Sequence, residues 1–438
     1  MIEQVVHPYN LQKALQHVVQ NGGSAGVDHA SVAMLPGQFR LRRDTLVNEM
    51  KSGTYKVQPI LGVEIPKANG KKRLLGIPTT TDRLLQQAVS QVMTPLWEVE
   101  FHDCSYGFRP NKSARKAVGK ALEHIHAGYN RIVDIDLKNF FDEVDHCLLL
   151  NLIFRKVKCR TTLALVRKWL RTPIQINGRL VKRRKGVPQG SPLSPLLSNI
   201  LLHELDRELS AKGYRFVRYA DDFSIFTKTE TQARKVKREI GSLLKTKLRL
   251  TINEEKSGIR KPVQFSLLGF SFVPTYIRGD KGKYQLTVKE QVWKRLRQKL
   301  KVITRKTSPL TFTERVSKIN EVQRGWLNYF RGTSIVGKLR EVDAWLRARL
   351  RCCIWKNWKK PERKRKNLLR LGVDPDHAYA WSRTRKGTWA VAQSPILTTT
   401  ITLQRLRQRG YVSLLELYSE LNPSFCEPPY ARSARTVV

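Results

Sequence analysis

Arg218-Tyr219-Ala220-Asp221-Asp222-Phe223 sets two adjacent carboxylates between short apolar runs, Tyr-Arg-Phe-Val (214–217) before and Ser-Ile-Phe (224–226) after. The pattern reads as a β-hairpin with its acids at the turn. Two carboxylates side by side repel each other, so the arrangement makes sense mainly where something doubly positive sits beside them. Hydrated Mg²⁺, with Mn²⁺ as the alternative, suits hard oxygen ligands, and two such ions can clamp an in-line phosphoryl displacement. Alone the pair is weak evidence, because Asp-Asp is common in ordinary turns.

Composition points the same way. The chain of 438 residues carries 81 Lys and Arg against 36 Asp and Glu, a formal charge of +45 with a pI near 10.4. Solubility needs far less, so a polyanionic partner is expected, nucleic acid first. A packaging or ribosomal protein would show basic low-complexity tails and little core. Here 41% of residues are hydrophobic, with 9 Trp, 13 Tyr and 15 Phe, enough for two or three domains. No two of the six cysteines (Cys104, Cys147, Cys159, Cys352, Cys353, Cys426) stand at a C-x₂-C spacing, so no zinc site is indicated. Without a signal peptide, a transit-like N-terminus or a membrane-length apolar run, a cytoplasmic, nucleoid-associated protein with no membrane partner is expected.

Along the chain, a helix with Leu11, Leu15 and Val18 on its apolar face breaks at the Gly-rich loop 21–28. A strand-turn-strand pattern from Leu61 leaves Lys67 and Arg73 flanking one hairpin tip. A helix is expected over Thr81–Trp97, capped by Thr81 or Asp82. Arg131–Leu137 alternates as a strand, with Val133, Ile135 and Leu137 on one side and Ile132, Asp134 and Asp136 on the other. Further helices are expected over Pro192–Leu209 and Gln232–Lys247, then an apolar hairpin over Phe265–Tyr276. From about 285 three amphipathic helices follow, beginning with Val288, Val292, Leu296, Leu300 and Ile303 at helical spacing. Residues 281–370 hold 27 basic and 6 acidic side chains, which predicts a nucleic-acid surface. After the charge run Lys359–Lys366 the composition shifts to a tail rich in Thr, Arg and aromatics.

Nucleotidyl transfer through two ions needs carboxylates from separate segments. Asp136, in Asp-Leu-Lys-Asn-Phe-Phe-Asp (136–142), can supply one; equally, it can cap a helix starting near Asp142. Between the segments lies Lys-Gly-Val-Pro-Gln-Gly-Ser-Pro-Leu-Ser-Pro (185–195), a rigid loop opening a helix, where backbone amides suit a phosphate or a base edge and Gln189 is the polar side chain at hand.

Tyr-Ala-Asp-Asp, the Asp136 strand with Phe-Phe-Asp, Pro-Gln-Gly-Ser-Pro-Leu-Ser-Pro, Asn253 with Lys256, and Leu-Leu-Gly-Phe (267–270) stand in the order of reverse transcriptase motifs. The basic segment with Arg-Gly-Trp-Leu-Asn-Tyr-Phe (324–330) and Cys-Ile-Trp-Lys-Asn-Trp (353–358) resembles the maturase domain of bacterial group II intron proteins. The resemblance implies an α+β right-hand polymerase, with fingers and palm over 1–285, a helical thumb/maturase bundle over 286–366 and a small C-terminal DNA-binding region over 367–438. It also implies an RNA-directed DNA polymerase and intron maturase that uses two Mg²⁺ ions, dNTPs, a primer strand, a DNA target and the intron RNA, the oligomeric state being open.

By resemblance, Asp136, Asp221 and Asp222 are the metal-binding carboxylates, with Asp134 as runner-up. Lys67 and Arg73 would grip the triphosphate, a role their charge and shared turn already suggest. Phe141 resembles the ring that excludes a 2′-hydroxyl, and Gln189 and Gly190 would line the nucleotide. Lys256 resembles a lysine near the triphosphate, and Tyr219, Ala220 and Ser191 fall at the primer/template. Lys294, Arg295, Arg297, Arg324, Arg331, Lys338, Arg347 and Arg351 are expected to contact RNA. Nothing after residue 370 has the Cys/His spacing of the endonuclease domain found in many of these proteins, which implies the type lacking it. Two other readings stay open on the residues: a reverse transcriptase of a diversity-generating or defence lineage, and a splicing cofactor with a relic polymerase site.

Overall fold

The computed structural model describes residues 1–66, 70, 72–275 and 283–422. The chain divides into Met1–Phe265 and Ser266–Val438.

In the first unit the described strands are β1 (Ile60–Pro66), β2 (Lys72–Ile77), β3 (Arg131–Ile135), β4 (Ile174–Ile176), β5 (Arg179–Val181), β6 (Arg215–Tyr219), β7 (Asp222–Thr227) and β8 (Gly258–Arg260). They form two sheets, ordered β2-β1-β4-β5 and β6-β7-β3-β8. β6 and β7 are the expected hairpin, closed by the Tyr219–Asp222 pair. The branched and aromatic residues of β3 and β7 suit a sheet covered on both faces: Val133, Ile135, Phe223 and Ile225 join the main core, while Ile132 and Phe226 are buried on the other side. β3 stops at Ile135, so Asp136 lies just beyond the strand rather than within it.

The helix expected from Thr81 runs Thr80–Glu98 and is capped by Thr79, which accepts from the Asp82 amide. Neither Thr81 nor Asp82 is the cap. Asp82 instead sits three residues in, 1% exposed, accepting from Thr79 Oγ1 (2.9 Å), Trp169 Nε1 (2.9 Å), Tyr55 Oη (3.1 Å) and the Gln58 amide (3.2 Å). A carboxylate so supplied ties three chain segments together, and burial still pushes its pKa up. The apolar face (Leu84, Leu85, Ala88, Val89, Met93) packs in one core with Leu11, Ala14, Leu15 and Val18 of helix Pro8–Asn21. Each Leu, Val or Met among them contributes about 1.5–3 kcal/mol by burial.

The second unit opens with β9 (Ser266–Leu267), β10 (Phe270–Pro274) and β11 (Tyr284–Val288), ordered β11-β10-β9. The predicted hairpin is thus only the β9–β10 part of a larger sheet, and Tyr276 lies outside the described residues. Val288 ends β11 and is not part of a helix. Helices Glu290–Ile303, Phe312–Phe330 and Val336–Asn357 follow. Their buried faces include Leu296, Leu300, Ile319, Leu327, Leu339, Leu346 and Leu350. Phe312–Phe330 carries a capping box of Thr311 with Glu314.

Beyond Asn357 the chain continues in short helices that return to this bundle. Asp343, 2% exposed, accepts from Tyr411 Oη (3.1 Å) and from the amides of Leu414 (2.9 Å) and Leu415 (3.0 Å), the free N–H groups that open helix Leu414–Leu421. Tyr418 Oη donates to the Thr333 carbonyl at 2.5 Å. Among the described residues no helix is long and apolar enough to cross a membrane.

Candidate active site

The Asp221–Asp222 turn rests on a buried ionic floor. Arg218, with no exposed surface, donates Nε and Nη2 to the two oxygens of Asp206 (2.8 and 2.6 Å), Nη1 to Asn199 Oδ1 (3.0 Å) and the Ala220 carbonyl (2.9 Å), and Nη2 to Ser105 Oγ (2.7 Å). The fork geometry of a guanidinium matches this many acceptors, and full pairing offsets the cost of burying both charges. The contact to the Ala220 carbonyl bears directly on the turn, because Ala220 has φ +57°, a left-handed conformation that costs a residue with a Cβ about 1 kcal/mol or more. Gly107 closes the other side: a Cβ there would stand 2.3 Å from the Ala220 nitrogen. Residue 107 therefore has to be glycine, because the backbone of the buried Ala220 lies against it.

Register brings the third carboxylate across. Ile135 pairs with Phe223 in the antiparallel β3–β7 ladder, so the next residues, Asp136 and Asp222, emerge opposite each other at the sheet end. The Asp136 backbone is held by Ser257 Oγ, which accepts from its amide at 3.0 Å, and by the Asn253 amide, which donates to its carbonyl at 2.8 Å. Its carboxylate accepts from Asn253 Nδ2 (3.0 Å) and meets Lys256 Nζ at 3.2 Å. Asp136 caps no helix, since Asn139 precedes helix Phe140–Glu143. Asp134, the runner-up, is already engaged by Arg260 Nε (3.1 Å) and Ser224 Oγ (3.2 Å).

Two of the acids, Asp221 and Asp222, are perturbed by their neighbours. Lost hydration, then the charges of Asp221, Asp136 and Asp134, push the Asp222 pKa up to about 6, with Lys256 opposing. Asp221 is also raised, by lost hydration and by Asp136, while Arg73 opposes. Among the described residues no three His, Cys, Asp or Glu side chains are already gathered at metal-ligand distance. Lys256 and Asn253 both meet Asp136 at one oxygen, Oδ2. The donors are nonetheless hard oxygens from two segments with excess negative charge between them, which suits Mg²⁺.

The Pro-Gln-Gly loop reaches both neighbours of this cluster. The Val187 amide donates to the Phe141 carbonyl and the Gly186 amide to that of Val144, each at 2.7 Å, which fixes the segment bearing Phe141. Phe141 is half-buried and packs edge-on against the buried Phe140, ring centroids 5.2 Å apart. The Gly76 amide donates to the Gln189 carbonyl (2.8 Å), and Arg73 donates to Gln189 Oε1. Thus Arg73, Gln189 and Asp221 converge, with Gly190 against the Gly76 carbonyl. Lys67 lies outside the described residues.

Two expected contacts are not available to the side chains concerned. Ser191 is buried and donates to Gln86 Oε1 at 2.8 Å, supporting the start of helix Ser194–Ala211 instead of facing a primer or template. Arg351 is buried against the Ile401 carbonyl (2.9 Å), so it holds the chain return and does not present its charge to RNA. Tyr219 is half-buried; Lys294, Arg295, Arg297, Arg324, Arg331 and Lys338 are exposed on the helical bundle, and Arg347 is half-buried there. Sequence reasoning gave no role to Arg218, Asp206 or Asn199; the available signal was an arginine following Phe216 and Val217 within a strand.

Residues 65–272 match the family described as reverse transcriptase (RNA-dependent DNA polymerase), and residues 293–372 match the group II intron maturase-specific domain. Protein YkfC of Escherichia coli is 32% identical over 299 residues, 59% of this chain and 78% of that protein. The group II intron-encoded protein LtrA of Lactococcus lactis is 42% identical over 163 residues, 37% of this chain and 27% of its own length. A retron reverse transcriptase of Myxococcus xanthus is 33% identical over 187 residues, 40% of this chain and 36% of that one. The chain thus spans most of the first relative and about a quarter of the second. With its mixed helix and sheet content, its ordered polymerase motifs and the second matched domain, the chain belongs to the reverse transcriptases that carry a group II intron maturase domain.

Proposed function

We propose that Asp136, Asp221 and Asp222 hold two Mg²⁺ ions for RNA-directed DNA synthesis, and that the same chain binds a group II intron RNA, assists its splicing and copies it during retrohoming. The observation that carries the catalytic half is the β3–β7 register, which brings Asp136 opposite Asp222 and leaves three carboxylates sharing one negative region. Bound there, the ions would supply electrophilic stabilisation of the attacking and leaving oxygens.

The chain's own residues do the rest in this reading. Arg73 grips the phosphates of the incoming dNTP, joined by Lys67. Gln189 and Gly190 line the nucleotide, and the Phe141 ring stands where a ribose 2′-hydroxyl would lie. Lys256, beside Asp136, can donate a proton to departing pyrophosphate. Residues 1–285 act as fingers and palm, 286–366 as a helical thumb/maturase bundle that also meets intron RNA, and 367–438 as a DNA-binding region. The exposed cations of the bundle and the maturase-domain match support the RNA half and set this reading above one of another reverse transcriptase lineage.

Primer extension on an RNA template tests the catalytic assignment. Asp221→Ala and Asp222→Ala are each expected to lose about 10³-fold or more of the Mg²⁺-dependent rate while RNA affinity is kept. Retained extension in both variants would remove these residues from the site.

A further inference from the structure

The second unit holds a groove that the polymerase reading does not use. Helices Glu290–Ile303, Val336–Asn357 and Thr388–Gln393 supply its walls. One cleft of about 290 Å³ is lined by Arg297, Gln298, Lys301, Trp345, Arg349 and Trp389. A second, of about 300 Å³, is lined by Thr304, Arg305, Lys306, Arg349, Cys352 and Trp389. Trp389 and Arg349 belong to both, so the indole, 41% exposed, stands as a partition between two cationic clefts. Neither lining contains a carboxylate.

The floor is rigid. Arg349 donates Nε to Thr304 Oγ1 (2.5 Å) and Nη2 to the carbonyls of Lys301 (3.1 Å) and Thr304 (3.0 Å), neutralising the free carbonyl end of helix Glu290–Ile303. Its guanidinium lies 5.3 Å from the Trp345 ring centroid, and that of Arg297 lies 5.9 Å from the same ring. Glu341 approaches Arg297 only at 3.8 Å on an exposed surface, a pair of little worth. Lys301, Arg305 and Lys306 are exposed and have long, adjustable side chains.

Cations alone would serve any polyanion. A partly exposed indole with cations on both sides adds a second requirement, a flat apolar face joined to negative charge. An unpaired nucleotide meets it, its base stacking on the aromatic face while its phosphates take the cations. A paired helix keeps its bases inside, and an acidic peptide offers charge without the flat face. Arg297 to Arg349 fall within the region matching the maturase-specific domain, which favours RNA, whereas Trp389 arrives from the chain beyond it. We propose that this groove takes an unpaired RNA nucleotide stacked on Trp389, with the adjoining phosphates on Lys301, Arg305 and Lys306. The inference rests on the reading of the helices from Glu290 to Asn357 as RNA-binding and locates one subsite there, to which Trp389 is contributed by the segment otherwise read as DNA-binding.

The experiment uses the full chain with two RNA hairpins, fully paired or bearing a single bulged 2-aminopurine, and with the bulged hairpin remade as DNA. Trp389→Leu keeps apolar bulk without the π face, and Trp389→Phe keeps a π face. Wild-type protein should quench the bulged base and prefer that hairpin, Trp389→Leu should weaken bulged-RNA binding about tenfold and lose the quenching, and Trp389→Phe should recover most of both. Affinity for the paired hairpin should be the same in all three proteins. Equal behaviour of the Leu and Phe variants, or equal weakening on paired and bulged RNA, would overturn the stacking subsite. Equal affinity for the DNA hairpin, or displacement of the RNA by poly-glutamate with the same Trp389 dependence, would assign the groove to another occupant. Failure of the wild-type protein to bind either RNA would instead count against the RNA-binding reading, and this subsite with it.

Discussion

The two units use charge in opposite ways. In Met1–Phe265 the decisive charges point inward and are matched atom for atom: Arg218 with Asp206, and Asp82 with two side-chain hydroxyls, an indole and an amide. In Ser266–Val438 most cations point outward, and many rest on rings, as with Lys364 on Trp355, Arg383 on Tyr379 and Arg409 on Phe312. The contrast fits the work proposed for each unit. Phosphoryl transfer tolerates errors of only a fraction of an ångström, which rigid buried pairs can hold. A polyanion is gathered by summed field and exchangeable contacts, so position matters less than number.

The strongest test of this contrast removes one inward charge. Arg218→Met leaves Asp206 buried without its partner and should cost about 3–5 kcal/mol, read as a lower urea midpoint with unchanged slope. Adding Asp206→Leu should restore much of that stability but not the DNA synthesis rate, because the Ala220 carbonyl still lacks its donor. Full recovery of the rate would show that the floor serves the fold alone.

Next in size is Phe141→Ala. If the proposed role holds, it should erode the preference for dNTP over rNTP by roughly 10- to 100-fold in kcat/KM ratios, the effect of losing one packed contact. An unchanged ratio would take Phe141 out of that role.

Outward charges should respond differently. Replacing Lys294, Arg295, Arg324 and Arg331 by Gln should reduce the slope of log affinity against log salt by about one for each phosphate that is no longer neutralised, uniformly across RNA sequences. Folding stability should move by less than about 0.5 kcal/mol per site, as is usual for exposed positions. A large drop in stability would mean that these cations are built in like those of the first unit.

The smallest expected effect is a pH response. Asp222 has a native pKa raised to about 6 against 3.8 for the ordinary group, so between those values the native state binds more protons than the unfolded one. Metal-free protein therefore loses this contribution as pH rises through that window. Asp222→Asn should raise the metal-free urea midpoint more at pH 7.5 than at pH 5, and Mg²⁺ should stabilise wild type more at pH 7.5, where it no longer competes with the proton. The reverse trend would show that the carboxylates do not share a negative site.

Much of this site is legible along the chain because its signals are local. An acid pair between two apolar runs marks a hairpin, and a loop dense in Pro and Gly marks a rigid entry to a helix, whichever partners they meet. Legibility ends where a residue's role is set by a distant neighbour. Ser191 reads as a substrate contact until Gln86 is found beside it, and Arg351 reads as an RNA contact until Ile401 takes its Nε. The tail reads as a separate piece, yet Asp343 receives two of its amides and a tyrosine hydroxyl. Even the helix cap moved, from Thr81 or Asp82 to Thr79, because capping depends on backbone angles just before the helix.

Composition by itself determined that this chain handles nucleic acid, since charge, periodicity and turn chemistry are carried by neighbouring residues, while DNA synthesis from RNA entered through the resemblance of its ordered motifs to those of reverse transcriptases. Only the tertiary structure decided which carboxylates stand opposite one another, which arginine supports their turn and which tryptophan closes a cationic groove. The facing carboxylates and the groove join residues far apart in sequence, and Arg218, though only two residues before Ala220, is set in place by the distant Asp206, Asn199 and Ser105; these partners meet only when strand register and core packing bring them together.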